Sequence, residues 1–86
     1  MMTAAIEGLL NEQDLDARGL NCPLPVLRAR KALRGLAPGA VLRLLATDPG
    51  TVRDVVAMCE ATGDRLIDSH EQGDEFVFRI EKTGKP

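Results

Sequence analysis

The fold is decided by residues 15–25, Leu15-Asp16-Ala17-Arg18-Gly19-Leu20-Asn21-Cys22-Pro23-Leu24-Pro25, in which a strand pattern passes directly into a helix pattern. Proline is favoured at the first position of a helix, because its φ angle is already helical and its missing N–H would have no partner there. The pattern therefore predicts strand one over Leu15–Leu20, with Pro23 as the first helical residue and Cys22 as the N-cap.

A cysteine at a helix start is chemically informative. The positive end of the helix dipole favours the thiolate, which is the nucleophilic form of cysteine. We therefore expect the pKa of Cys22 to lie below the free value of about 8.5. Pro23 and Pro25 lack an N–H, which leaves that of Leu24 as the nearest amide for the sulfur. The alternative is a plain helix start that happens to hold Cys, although Cys is a poor N-cap beside Ser, Thr, Asp or Asn.

The remaining pattern predicts an α/β two-layer sandwich. Its order is β-α-β-α-β-β, with both helices on one face of the sheet if the crossovers are right-handed. The domain covers residues 14–82, between a loose leader (1–13) and a tail (83–86). The later elements are helix one over Pro23–Gly35, strand two over Ala40–Thr47, helix two from Asp48-Pro49 to Thr62, and strands Arg65–Glu71 and Glu75–Lys82 around a turn at Gln72-Gly73-Asp74.

Length and charge exclude several classes of function. Eighty-six residues form one domain with a modest core, too small for a deep substrate cavity. A net charge of −2 and two aromatic residues, both on one predicted strand, argue against direct binding of nucleic acid. Without a recognisable signal or membrane span, and with two cysteines that lack paired spacing, we expect a cytoplasmic monomer with no membrane partner.

The motif resembles the signature of the TusA/SirA-like sulfur-carrier proteins, which are small, single-domain and share a Cys-Pro-x-Pro sequence. Thr47-Asp48-Pro49-Gly50 and Arg53-Asp54 match the start of that family's second helix, and the resemblance extends from Leu15 to Ile80. It implies a mixed four-stranded sheet like that of the C-terminal domain of a bacterial translation initiation factor.

The resemblance also implies a chemistry for Cys22. The cysteine accepts a sulfane sulfur as a persulfide from a cysteine desulfurase or rhodanese-like donor, and passes it to a downstream acceptor protein. In many members the sulfur goes toward 2-thiouridine in tRNA, and in others toward molybdenum cofactor, selenium metabolism or sulfur oxidation. The motif does not separate these pathways. No cofactor is expected besides the covalent sulfur, and Asp16 and Gly19 belong to the matched pattern as supporting residues that shape the approach to the motif.

A helical wheel assigns two faces to helix one. One arc is apolar and is predicted to pack on the sheet, whereas the other carries the cations. Leu24 and Leu27 lie outside the apolar arc, so they are either stray surface residues on a solvated face or the centre of a docking surface. The predicted core residues are Val26, Ala29, Ala32, Leu33 and Leu36. The predicted partner-binding residues are Leu24, Leu27, Arg28, Lys31 and Arg34, with Arg30 on the same basic arc.

Three further residues are candidates for a functional role. Cys59 lies with Val52, Val55 and Val56 on the apolar arc of helix two, which predicts a buried thiol rather than a resolving cysteine for Cys22. Asp48 is predicted to cap helix two, at the sheet edge where Cys22 also lies. His70 is predicted to be a surface strand residue. Cys22, Cys59 and His70 lack the clustered spacing of a metal site.

The sequence thus predicts a sulfurtransferase-type carrier with Cys22 as the catalytic residue. One competing class is a thiol redox sensor that uses the same cysteine, which the lack of a nearby resolving cysteine disfavours. The other is an RNA-binding module, which is suggested only by the initiation-factor resemblance and is opposed by charge and aromatic content.

Overall fold

Six elements form the structure, a computed structural model that describes residues 12–83. The four strands make one mixed sheet of order β1-β2-β4-β3, in which β1 is parallel to β2 and β4 is antiparallel to both neighbours. The predicted two-layer α/β fold is confirmed. In chain order the elements are β1 (Glu12–Asp16), α1 (Leu24–Arg34), β2 (Val41–Ala46), α2 (Gly50–Thr62), β3 (Arg65–Gln72) and β4 (Glu75–Glu81).

The prediction for strand one is wrong, since β1 is Glu12–Asp16 and not Leu15–Leu20. The acidic residues of β1 lie on the face of the sheet without helices, where Asp14 pairs with Arg43 at 3.2 Å. Partners from neighbouring strands thus let a polar segment form an edge strand that its own hydrophobicity does not predict. Two residues of the predicted leader therefore belong to the sheet, and the rest, residues 1–11, lie outside the described residues.

The hydrophobic core lies between the sheet and the two helices. Alternate residues of β2 are buried, and they face Phe78 and Ile80 of β4 across the strand pair. The predicted core face of α1 is confirmed: Ala29 and Leu33 are buried, and the other predicted residues pack around them. This face fixes the orientation of α1 and so the direction from which its N-terminus meets the sheet edge.

The predicted face of α2 is only partly right. Val55 and Cys59 are buried, but Val52 is 39% and Val56 44% exposed. The buried stripe is completed by Thr51 and Met58, because the helix is rotated so that the spacing 51, 55, 58, 59 faces the sheet. The rotation turns Val52 and Val56 toward solvent.

One residue of the predicted tail, Thr83, is bound to the domain. Thr83, predicted as the first residue of that tail, donates a hydrogen bond from Oγ1 to the carbonyl of Gly63 at 2.8 Å, which ties it to the end of α2. Residues 84–86 lie outside the described part. Neither helix within residues 12–83 is long and apolar enough to cross a membrane.

Candidate functional site

The candidate site lies at one edge of the sheet, where the parallel strands β1 and β2 both end. The loop after β1 carries Cys22, and the loop after β2 carries Asp48, so the topology brings two distant segments together. Cys22 is exposed at this edge. Open α/β sheets commonly place their functional sites at such an edge.

Helix α1 begins one residue later than predicted. Pro23 is the N-cap and Leu24 is the first helical residue, which places Cys22 just outside the helix. The N–H of Leu24 donates to the carbonyl of Asn21 at 2.9 Å, because residues 21–24 form a closed turn. The expectation that this amide contacts the sulfur is therefore wrong. Pro25 is buried and anchors the first turn.

Asp48 connects the starts of the two helices. Its Oδ2 accepts the backbone N–H of Cys22 at 2.7 Å, and its Oδ1 accepts the N–H of Gly50 at 2.8 Å. These two hydrogen bonds lower the pKa of Asp48. Asp48 is predicted to be the N-cap of α2, but the N-cap is Pro49, so Asp48 lies one residue before it. Cys22 lies in the same way one residue before Pro23, the N-cap of α1.

A second carboxylate contacts the sulfur itself. The thiol of Cys22 donates a hydrogen bond to Oδ2 of Asp54, which lies on α2. This hydrogen bond is the largest cause that raises the pKa of Cys22, followed by desolvation and by the negative charges of Asp54 and Asp48, while Arg53 opposes the shift. The predicted lowering of the Cys22 pKa is thus wrong. The carboxylates of Asp54 and Asp48 each carry a full negative charge and raise the pKa of Cys22 more than the helix terminus, with about half a positive charge, lowers it.

The sulfur packs against the first residue of α2. A Cβ atom built on Gly50 would lie 3.4 Å from Sγ of Cys22 and 3.3 Å from its Cβ. Contacts this short leave little room for a larger residue. The absence of a side chain at position 50 therefore allows the thiol to reach Asp54 on the next turn of the same helix.

Two supporting residues shape the loop that precedes the cysteine. Gly19 has φ of 82°, a conformation that favours glycine, and its N–H donates to Oγ1 of Thr47 at 2.9 Å. The carboxylate of Asp16 accepts the backbone N–H and the guanidinium of Arg18, which lower the pKa of Asp16 to about 2. Arg18 also reaches Glu75 of β4 at 3.2 Å. These contacts fix the path of the loop without touching the sulfur.

Three of the five predicted docking residues line two grooves, whereas Leu24 and Arg34 line neither. Leu24 and Leu27 are 45% and 55% exposed, which confirms that they lie outside the core. Leu27 lines a largely apolar groove of about 280 Å³ between the two helices, which Pro23 and Asp54 border at the cysteine end. A second groove, of about 630 Å³, runs between α1 and β1, and it is lined by Arg28 and Lys31. Arg34 borders neither of them and lies exposed near the end of α1.

The other candidate residues lie apart from the site. Cys59 is a free, buried thiol whose pKa burial raises to about 11, with a smaller contribution from Asp64. His70 is exposed on β3, as predicted. Within the described range, 12–83, no three His, Cys, Asp or Glu side chains are arranged to hold a metal ion.

Sequence reasoning gave Asp54 no role. The residue matches the family pattern, but its contact with Cys22 joins positions 32 residues apart. A signal was available in its spacing: Asp54 lies four residues after Gly50, hence on the same side of α2 and one turn from the sheet edge. Ala57 and Met58, which form the α2 wall of the groove beside Leu27, were also missed.

The fold and the motif are those of a small sulfur-carrier domain. The family profile described as sulfurtransferase TusA matches residues 13–82, and the chain belongs to this family of sulfur carriers. The sulfur carrier protein TusA of Allochromatium vinosum is 51% identical over 72 residues, which cover 84% of this chain and 95% of that protein. The sulfur carrier protein TusA of Pseudomonas entomophila is 42% identical over 74 residues, which cover 86% of this chain and 92% of that protein.

A solved structure of a related protein has the same fold. The SirA-like protein of Desulfitobacterium hafniense is similar to this chain with a TM-score of 0.75 and 29% sequence identity. The match covers 83% of this chain and 97% of that one. The predicted resemblance to the TusA/SirA-like proteins is therefore confirmed.

Proposed function

We propose that this protein accepts a sulfane sulfur as a persulfide on Cys22 and delivers it to an acceptor protein. The observation that carries this proposal is the contrast between its two cysteines: Cys22 is exposed beside two helix starts, whereas Cys59 is buried in the core. A transferable sulfur needs an accessible thiol, and Cys22 meets that requirement.

The proposed reaction makes the protein a transferase of sulfur-containing groups. Sγ of Cys22 attacks the outer sulfur of a donor persulfide, and the donor cysteine leaves as a thiol. A second exchange passes the outer sulfur to the acceptor. The sulfur is cargo held by a covalent bond, so the proposal includes no resident cofactor. We infer a reducing compartment, the cytoplasm, since the unloaded thiol must stay free.

The proposed donor is a cysteine desulfurase or a rhodanese-like protein, and the proposed destination of the sulfur is tRNA 2-thiouridine. Molybdenum cofactor, selenium and sulfur-oxidation pathways are the alternative destinations. A redox sensor would need a partner thiol within reach of Cys22, and the burial of Cys59 does not favour that function.

Mass spectrometry tests the proposal. After incubation with a cysteine desulfurase and cysteine, we expect the wild-type protein to gain the mass of one sulfur atom. Cys22→Ser should abolish the gain, while Cys59→Ser should retain it. A full sulfur load on the Cys22→Ser variant, or none on the wild type with several donors, would contradict the proposal.

We further propose that partners dock on α1 through an acidic surface. Among residues 12–83, the four cations of α1 (Arg28, Arg30, Lys31 and Arg34) have no carboxylate within ion-pair distance. The arginines of the sheet and of the loop after β1, by contrast, all lie 2.9–3.9 Å from one. Unpaired cations beside an exposed Leu27 and two grooves favour a partner that supplies the missing negative charge.

Charge reversal tests the docking surface. We expect Arg28→Glu or Lys31→Glu to slow sulfur delivery, with the largest effect at low salt, because exposed charges chiefly steer encounter. Arg65→Glu is the matched control, since Arg65 lies on β3 at the opposite edge of the sheet. Equal slowing by all three variants would mean that net charge, and not this surface, controls delivery.

A further inference from the structure

The thiol of Cys22 has one hydrogen-bond acceptor among the described side chains, the carboxylate of Asp54. The other carboxylate nearby, Asp48, is engaged through both oxygens by the backbone N–H groups of Cys22 and Gly50. Arg53, the cation that acts on the sulfur, cannot accept a proton. The two carboxylates therefore have separate tasks, one toward the backbone and one toward the sulfur.

We propose that Asp54 is a catalytic residue that receives the proton of the Cys22 thiol when Sγ attacks the donor persulfide. This inference rests on the proposed function and adds a group that handles the proton. The thiol of Cys22 donates its proton in the hydrogen bond to Asp54, and the surrounding carboxylates raise its pKa, so this proton must leave during the attack.

The step balances without another reactant. The S–H bond of Cys22 breaks and its proton moves to Oδ2 of Asp54, while the sulfur electron pair forms a bond to the outer sulfur of the donor. The S–S bond of the donor breaks, and its electron pair stays on the donor cysteine as a thiolate, which takes a proton from Asp54 or from water. Cys22 is oxidised to the same extent as the donor cysteine is reduced.

Asp54 lies where it can pass the proton from the sulfur toward the groove between the helices. Its side chain borders the groove between the helices, together with Pro23 and Leu27, and the residue is only partly buried. The carboxylate thus contacts the sulfur on one side and the groove on the other. A donor bound over this groove would bring its leaving thiolate near the group that holds the proton.

Asp54→Asn tests the proposal because it removes the charge and the basicity but keeps the shape of the side chain. Two rates are measured against pH: alkylation of Cys22 by iodoacetamide, which follows the thiolate fraction, and sulfur uptake from glutathione persulfide, followed as a one-sulfur mass gain. Glu60→Gln, an exposed charge on the same helix, is the matched control. Cys22→Ser supplies the background of both assays.

We expect the two rates to move in opposite directions in Asp54→Asn. The alkylation midpoint should shift to lower pH, since a negative charge beside the sulfur is lost, whereas sulfur uptake at pH 7 should fall about 100-fold, the low end of general-base effects. Asp54→Glu should recover part of the uptake. Asp54→Ala should give the same two shifts if Asn disturbs folding.

Two results would overturn the proposal. Uptake that rises together with alkylation would mean that Asp54 affects only the thiolate fraction, and an unchanged alkylation profile would mean that the carboxylate does not act on the sulfur at all. Both results are distinct from failure of the proposed function, in which the wild-type protein itself takes up no sulfur.

Discussion

Leucine-to-alanine substitution at two positions of α1 distinguishes the core face from the proposed docking face. Leu33 is 2% exposed and packs in the core, whereas Leu27 is 55% exposed and lines the groove between the helices. We expect Leu33→Ala to destabilise the domain strongly with normal transfer from the folded fraction. Leu27→Ala should leave stability nearly unchanged but slow transfer to a partner.

The magnitudes follow from burial. Truncation of a buried leucine to alanine costs about 2–5 kcal/mol, because it removes apolar contacts and leaves a cavity. A domain of this size is stable by roughly 4–13 kcal/mol, at about 0.05–0.15 kcal/mol per residue. Each kcal/mol of lost unfolding free energy lowers the melting temperature by about 4–8 °C. Leu33→Ala should therefore lower it by about 10 °C or more, and Leu27→Ala by no more than about 5 °C.

The assay combines urea denaturation, followed by circular dichroism, with transfer of sulfur to an acceptor at a temperature where both variants are folded. The unfolding slope must stay constant across the series, so that midpoints report stability alone. If Leu27→Ala loses as much stability as Leu33→Ala and its folded fraction transfers sulfur normally, Leu27 is a core residue and partners dock elsewhere.

Three further predictions concern the residues around the site. Asp48→Ala should lower the free energy of unfolding by about 1–2 kcal/mol, since two backbone donors lose their acceptor, and urea denaturation measures the loss. Gly19→Ala should cost about 1–2 kcal/mol through its φ of 82°, whereas Gly35→Ala, at negative φ, should cost less. The pKa of Asp16 is lowered from 3.8 to about 2, so its stabilising contribution is complete above about pH 4 and is lost as the pH falls through 2. In Asp16→Asn, the urea midpoint should therefore depend less on pH over that range than it does in the wild type.

The sequence predicts elements well where local signals agree. Helix α1, strand β2 and the β3–β4 hairpin lie within a residue or two of their predicted positions, because apolar periodicity and Pro or Gly mark their limits. The position of strand β1 is predicted wrongly, because its acidic residues form ion pairs with arginines such as Arg43 from elsewhere in the chain. Its formation depends on pairing with β2 and on ion pairs with distant residues, which a local pattern does not contain.

For the candidate site too, local features could be predicted from the sequence and contacts between distant segments could not. The exposed thiol at the start of α1 could be predicted from Cys22 and the two prolines, because the motif is local. The sign of the pKa shift could not, because it depends on Asp54, whose contact with the sulfur is made only when α2 packs beside α1. The dipole of α1 is only one of the charges near the sulfur, because folding also brings the carboxylate of Asp54 from α2.

The exposure of Cys22 at the rim of the sheet has a consequence for the lifetime of the proposed loaded form. The sulfur lies at the surface, so it is accessible to small thiols and oxidants in the surrounding solution as well as to a partner. In the proposed loaded form, the persulfide on Cys22 extends the side chain by about 2 Å, which places the outer sulfur further into solvent. Delivery then requires the loaded form to last longer than the interval between its encounter with a donor and its encounter with an acceptor. Since that interval shortens as the acceptor becomes more abundant, the efficiency of delivery depends on the cellular concentration of the acceptor.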